Sequence, residues 1–193
     1  VHSATAMTGQ IETSDVLLNR IHQLILHSIA NNLQSLLLSD PHREKLGWLE
    51  ETQLLESAMS YDFDLENLYE QMVDCMAEVQ AANGMVPEIA PEYTHFPPPF
   101  DDSPEWGSAI VLDPWFTYLR YGDIDILQKH FPEMLRYVDY LSTRAHNHIV
   151  SYGLGDWLDL GPGKPGASQL TSLGITGTAT YYEDIQAVQD TAT

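Results

Sequence analysis

Apolar residues recur at helical spacing in six stretches of this chain, separated by polar segments rich in glycine and proline. Ser14 and Asp15 offer a helix N-cap, followed by Leu17, Leu18, Ile21, Leu24, Ile25, Ile29 and Leu33 on one face. A second helix is predicted from about Glu50 to Met59, with Leu54, Leu55, Ala58 and Met59 turned inward. Asp64 caps a third, which carries Leu65, Leu68, Met72, Val73, Met76 and Val79 and ends at Asn83-Gly84. Ser103-Pro104-Glu105 starts a fourth, with Trp106, Ile110, Val111, Trp115 and Leu119, a stop at Gly122 and a kink expected at Pro114. Asp123 caps a fifth that reaches Ala145, with Pro132 as a point of division. A sixth begins near Thr176 and carries Tyr181, Tyr182, Ile185 and Val188.

Strand signals are nearly absent after residue 13, and residues 1–13 read as a linker or as a last strand leaving an upstream domain. Tight turns alternate with long loops such as Val86 to Phe100 and Gly153 to Gly174, which are rich in Trp, Pro, Gly and acids. The pattern predicts an all-α domain of helical hairpins, with the long loops gathered at one end to build a site. From Tyr181 to Thr193 the helical pattern carries no stop signal, so residues 14–193 are expected to be part of a larger domain.

Charge narrows the partners. The chain has 28 acidic against 8 basic side chains, a formal net charge of −20. Such a surface repels nucleic acid and anionic membranes, whereas a neutral sugar suits it. No apolar run approaches the length of a membrane span. Cys75 is the single cysteine, so it forms no internal disulfide; within a helical stretch it reads as a buried inert thiol. No cofactor is expected, and no dedicated metal loop is visible. One cysteine leaves oxidising and reducing compartments open; a periplasmic or extracellular location is favoured over a cytoplasmic one.

The densest chemistry lies in Ser39-Asp40-Pro41-His42-Arg43-Glu44-Lys45-Leu46-Gly47-Trp48-Leu49-Glu50-Glu51, a loop-like run between two apolar helices. Indole faces stack on pyranose rings and carboxylates bind hydroxyls, while glycoside hydrolysis uses one carboxyl as proton donor and a second to activate water. From spacing alone the run reads equally well as a sugar site or as a solvated linker whose charges pair among themselves.

The stretch from His42 to Gln53 resembles the signature of glycoside hydrolase family 78, the α-L-rhamnosidases. The resemblance extends along nearly the whole chain. It takes in Asn31-Asn32-Leu33-Gln34-Ser35, Gly84-Met85-Val86-Pro87-Glu88-Ile89-Ala90-Pro91, Trp106-Gly107-Ser108-Ala109, Tyr121-Gly122-Asp123 and Gly155-Asp156-Trp157-Leu158-Asp159. It implies the first half of an (α/α)6 barrel, a six-hairpin toroid, with residues 1–13 as the exit from an upstream β-sandwich module. It implies Glu44 as general acid of an inverting enzyme, Glu51 as an acidic sugar ligand, Trp48 as a pocket wall and Arg43 beside the acid. Asp156 and Trp157 would reach the pocket from a later loop, and His42, Glu88 and Trp106 are candidates either for lining it or for bracing its loops.

For Glu44 to donate a proton near neutral pH, Arg43 and Lys45 are expected to point away from it. The family's usual Thr-Asp-Cys-Pro is replaced here by Leu38-Ser39-Asp40-Pro41, which puts Ser39 at the aspartate position. Either Asp40 binds the sugar from one residue along, or sugar preference shifts. The family's general base lies in the later half of the barrel, so no residue here takes that role. The expected partner is a rhamnose-containing glycoside or polysaccharide. A half-barrel face left uncovered would also promote self-association. An (α/α)6 enzyme of different sugar specificity and a non-catalytic carbohydrate-binding module are the competing readings.

Overall fold

The computed structural model describes residues 3–193. It contains the helices α1 (Val16–Asn32), α2 (Leu49–Met59), α3 (Glu66–Val79), α4 (Pro104–Gly107), α5 (Ala109–Tyr121), α6 (Ile124–Arg144) and α7 (Leu173–Thr191). Among the described residues the only β pairing consists of isolated bridges such as Met7 with Phe63. The early segment runs extended against the turn after α2: the N–H groups of Thr8 and Gly9 donate to the Asp62 carbonyl, and Asp64 N–H donates to that of Ala6.

Most predicted boundaries match local chemistry. Asp15 caps α1, its carboxylate accepting the N–H of Leu17 at 2.7 Å. Asp123 caps α6 through Asp125 N–H, and α5 stops at Gly122. The fourth predicted helix is interrupted at Ser108, which ends α4 and starts α5, and α5 runs on through Pro114. Pro132 does not divide α6, because the carbonyl it leaves without a donor belongs to Gln128 on an exposed turn, where water can satisfy it. The last helix starts at Leu173, capped by Ser172, three residues earlier than expected.

α5 is the centre of the packing, with α2, α3, α6 and α7 around it. Its Ala109, Ile110, Val111 and Leu112 are fully buried, meeting Tyr69, Val73 and Met76 of α3 and Met134, Tyr137 and Leu141 of α6 in one core. Two predicted core faces hold only in part. On α2, Leu54, Leu55 and Ala58 face outward, and the buried stripe is Leu49, Thr52, Glu56 and Met59. Thr52 fits there because its hydroxyl donates to the Leu49 carbonyl and its own carbonyl accepts from Tyr69. The predicted α1 stripe is covered only at its C-terminal end, where Leu33 is buried and Ile29 packs against the core, while Leu17, Leu18, Ile21, Leu24 and Ile25 are exposed; within α1 only Leu26 is buried.

The connections α2–α3 and α5–α6 are short, α5 packing on α6 as a tight hairpin while α2 and α3 both pack on α5, and the three long connections 33–48, 80–103 and 145–172 meet. Leu49 N–H donates to the Glu88 carbonyl and Ala90 N–H to that of Gly47, which joins the first long loop to the second. Gly47 is needed there, since a Cβ would lie 2.7 Å from the Ala90 carbonyl oxygen. Leu154 N–H donates to the Ser103 hydroxyl at 2.9 Å and joins the second loop to the third.

Candidate active site

Where the three loops meet lies a pocket of about 700 Å³, open on one side. Asp40, Arg43, Glu44, Trp48 and Glu51 line it from the first loop and the start of α2, Trp106 from α4, and Trp157 from the third loop. Seven residues singled out by sequence therefore share one cavity.

The acid-bearing loop is organised by Asp40. One of its carboxylate oxygens accepts the N–H groups of His42 and Arg43, at 3.0 and 2.7 Å, and the other accepts Arg43 Nε at 3.0 Å. The Arg43 backbone bond above all holds this carboxyl below its ordinary range. Asp40 is thus committed to the turn, although it reaches the cavity wall. Glu44 follows, its side chain 40% exposed. Trp48 Nε1 donates to Glu44 Oε2 at 3.1 Å, and Arg43 Nη2 stands 3.5 Å from Oε1. Arg43 therefore does not point away from Glu44 as expected: Asp40 draws its guanidinium back across the turn, within reach of both carboxylates.

Glu51 is largely buried at the pocket wall, and burial pushes its carboxyl upward against the opposing pull of a Ser39 contact. Its neighbour Glu50, absent from the sequence candidates, is raised to about 8, by burial first and then by the charges of Glu51, Glu105, Glu88 and Asp156. An acidic pair at a helix start was visible in the sequence, but the burial of both members was not.

Three candidates lie outside the lining. His42 is exposed on the outer side of the Asp40 turn. Asp156 is exposed and turned into its own loop, where Oδ2 accepts the Thr171 hydroxyl at 2.8 Å. Glu88 is 1% exposed behind the pocket, with Oε1 accepting from the Ser103 hydroxyl at 2.5 Å, and burial raises it to about 8. It braces the loops through Ser103, the hydroxyl that also holds Leu154. Asp159 does comparable work in the third loop, where Oδ2 accepts the N–H groups of Gln169 and Leu170 at 2.9 and 2.6 Å.

Sequence reasoning missed Phe100, Leu154 and Leu158 as lining residues, together with Ser28, Asn31 and Asn32 from the end of α1. The Asn31-Asn32 pair interrupting an apolar face was a usable signal, and Asn32 Oδ1 is buried without a partner. No group of three or more His, Cys, Asp or Glu side chains suited to a metal occurs among the described residues.

The comparisons with known proteins bear on the family and the fold. The family described as the bacterial α-L-rhamnosidase six-hairpin glycosidase domain matches residues 6–193, and the chain belongs to it. An α-L-rhamnosidase of Formosa agariphila is 31% identical over 158 residues, 78% of this chain and 17% of that protein. The solved α-L-rhamnosidase from Dictyoglumus thermophilum is similar over 99% of this chain and 21% of its own, with 28% identity and a TM-score of 0.88. The Streptomyces avermitilis α-L-rhamnosidase, solved in complex with L-rhamnose, shares the fold over 99% of this chain and 18% of its own, at 23% identity and a TM-score of 0.87. The chain spans about a fifth of the length of these relatives.

Proposed function

We propose that this chain carries the acid side of the active site of a longer glycoside hydrolase that removes terminal α-L-rhamnose from glycosides or polysaccharides, with inversion. The observation that carries the reading is the convergence of Glu44, Glu51, Arg43, Trp48, Trp106 and Trp157 on one cavity from three separate segments. The family to which the chain belongs supports the reaction class.

In this reading Glu44 protonates the glycosidic oxygen as the bond to the anomeric carbon breaks. Water, deprotonated by a carboxylate outside these residues, adds to the opposite face of the oxocarbenium-like sugar. An inverting pair stands roughly 6.5–9.5 Å apart to admit that water. Trp48, Trp106 and Trp157 enclose the ring, and Glu51 accepts from its hydroxyls. Asp40 holds Arg43 beside the acid, its carboxylate accepting the backbone N–H and Nε of that residue.

Hydrolysis of a natural rhamnoside by the full-length enzyme, beside its Glu44→Gln variant, tests this. Loss of roughly 10²–10⁴-fold is expected for removal of a general acid, and a smaller loss with p-nitrophenyl α-L-rhamnoside, whose leaving group needs little protonation. An inactive parent on both substrates overturns the assignment. Activity on another glycoside instead would favour altered specificity, for which the commitment of Asp40 to its turn and the Ser39 contact with Glu51 are the structural grounds.

A further inference from the structure

The run Phe96-Pro97-Pro98-Pro99-Phe100 lies in the second long loop, and each of its phenylalanines meets a different pocket tryptophan. Phe96 stacks on Trp48 with ring centroids 5.3 Å apart and planes at 26°. Phe100 meets Trp157 edge-on, centroids 5.4 Å apart and planes at 79°, and itself lines the cavity. The segment is anchored on both sides of this run. Upstream, Tyr93 donates its hydroxyl to the Lys45 carbonyl at 2.9 Å, one residue beyond Glu44. Downstream, Asp102 Oδ2 accepts the Tyr140 hydroxyl of α6 at 2.5 Å, and Arg144 of α6 stands 3.6 Å from the same oxygen.

We propose that residues 93–102 form a strap that sets the position of the acid, with Phe96 as the positioning residue that acts on Glu44 through Trp48. The inference rests on the function proposed above. The line of contact is continuous: the Phe96 ring fixes the plane of the Trp48 indole, and that indole directs its N–H to Glu44 Oε2 at 3.1 Å. Tyr93 grips the same loop from the backbone side. Three consecutive prolines, closed by a turn in which Phe100 N–H donates to the Pro97 carbonyl at 3.1 Å, restrict the chain between the two phenylalanines, so the strap also couples the Trp48 wall to the Trp157 wall. Phe100 has a different duty, because it touches the cavity directly and bears on sugar or aglycone binding.

The test compares Phe96→Ala, Phe96→Tyr and Phe100→Ala in the full-length enzyme, each checked for an unchanged melting temperature. Misplacing a catalytic group by about 1 Å costs up to roughly 10²-fold. Phe96→Ala is therefore expected to lower kcat on a natural rhamnoside about tenfold or more with little change in KM, and to cost much less on p-nitrophenyl α-L-rhamnoside. Phe96→Tyr keeps the ring and should restore the rate. Phe100→Ala should raise KM on both substrates. An active parent whose Phe96→Ala variant keeps its kcat on both substrates, or loses the same factor on both, overturns the strap alone. A parent inactive on both substrates overturns the proposed function and the strap with it.

Discussion

Trp48 and Glu44 are one helical turn apart in sequence but sit in a loop, and the indole N–H of the first donates to a carboxylate oxygen of the second at 3.1 Å. The tryptophan thus does two things, walling the pocket with its face and orienting the acid with its edge. Trp48→Phe separates them. A hydrogen bond to a charged group contributes about 1.5–3 kcal/mol, and 1.4 kcal/mol is tenfold in rate. The partial exposure of Glu44 argues for the low end. Trp48→Phe should therefore lower kcat on a natural rhamnoside about tenfold at nearly constant KM, whereas Trp48→Ala should also raise KM. Steady-state kinetics on both variants decide it, and an unchanged kcat in Trp48→Phe would remove the edge from the mechanism.

Stability should fall as pH rises from about 4.5 to about 8. Burial raises both Glu50 and Glu88 to about 8, against an ordinary value of 4.5 in the unfolded chain. Between those values the folded state keeps protons that the unfolded state has released, so raising the pH favours unfolding, and the effect levels off above the folded value. Glu51, Glu105, Asp113 and Asp184 are raised in the same direction, also by burial first. Asp40 and Asp159 are lowered and act oppositely at more acidic pH, and His130, lowered by burial from its ordinary 6.5, also acts oppositely below that value, one group against several. One such group contributes at most about 1.4 kcal/mol per pH unit. Melting temperatures across pH 5–8 should decline, and Glu88→Gln should flatten the slope. A profile that rises toward pH 8 would contradict the buried protonated carboxyls.

The parts of this molecule that were legible in the sequence are those decided locally. Asp15, Asp123 and Gly122 mark helix ends because a cap needs only its own turn. The run from Asp40 to Glu51 could be read as a site because its acids, cations and indole are contiguous. What escaped is set by tertiary convergence. Glu88 and Asp156 sit in loops that do reach the pocket, but Ser103 and Thr171 turn their carboxylates away from it. Phe100 and Leu154 carry no chemical mark, and become lining residues only when the second and third loops meet. On α2, periodicity could not foresee that Thr52 and Glu56 would take the inner stripe from Leu54 and Leu55, because that exchange depends on partners in α3 and α5.

Gly107 should resist replacement. It follows Trp106 on the pocket side, and a Cβ at this position would run into the hydroxyl and ring of Tyr137, which is fully buried in α6. Ser108 follows and donates to Asp184 of α7 at 2.6 Å, so α4 has little freedom to retreat. Overpacking of this kind costs about 1–3 kcal/mol. Gly107→Ala should lower the melting temperature by several degrees and, because Trp106 shifts with it, weaken sugar binding. Tyr137→Phe removes the nearest atom and should recover part of the loss in the double variant. Additive effects in that double-variant cycle would show that the clash is not the cause.

The exposed face of α1 predicts behaviour in solution. Leu17, Leu24 and Val16 are 63, 71 and 70% exposed, and Leu18, Ile21 and Ile25 continue the same apolar surface. A contiguous apolar stripe of this kind is ordinarily covered. Expressed by itself, the 193-residue chain should therefore associate with increasing concentration, as read by sedimentation velocity. Leu17→Glu with Leu24→Glu should return it to a monomer while far-UV dichroism keeps its helical signal, since both sites face solvent. In the full-length enzyme the same pair should lower the melting temperature, because in the proposed complete barrel that face is covered by helices outside this chain. A full-length protein whose stability is indifferent to the pair would place the face on its outer surface and remove the argument that it is an internal seam.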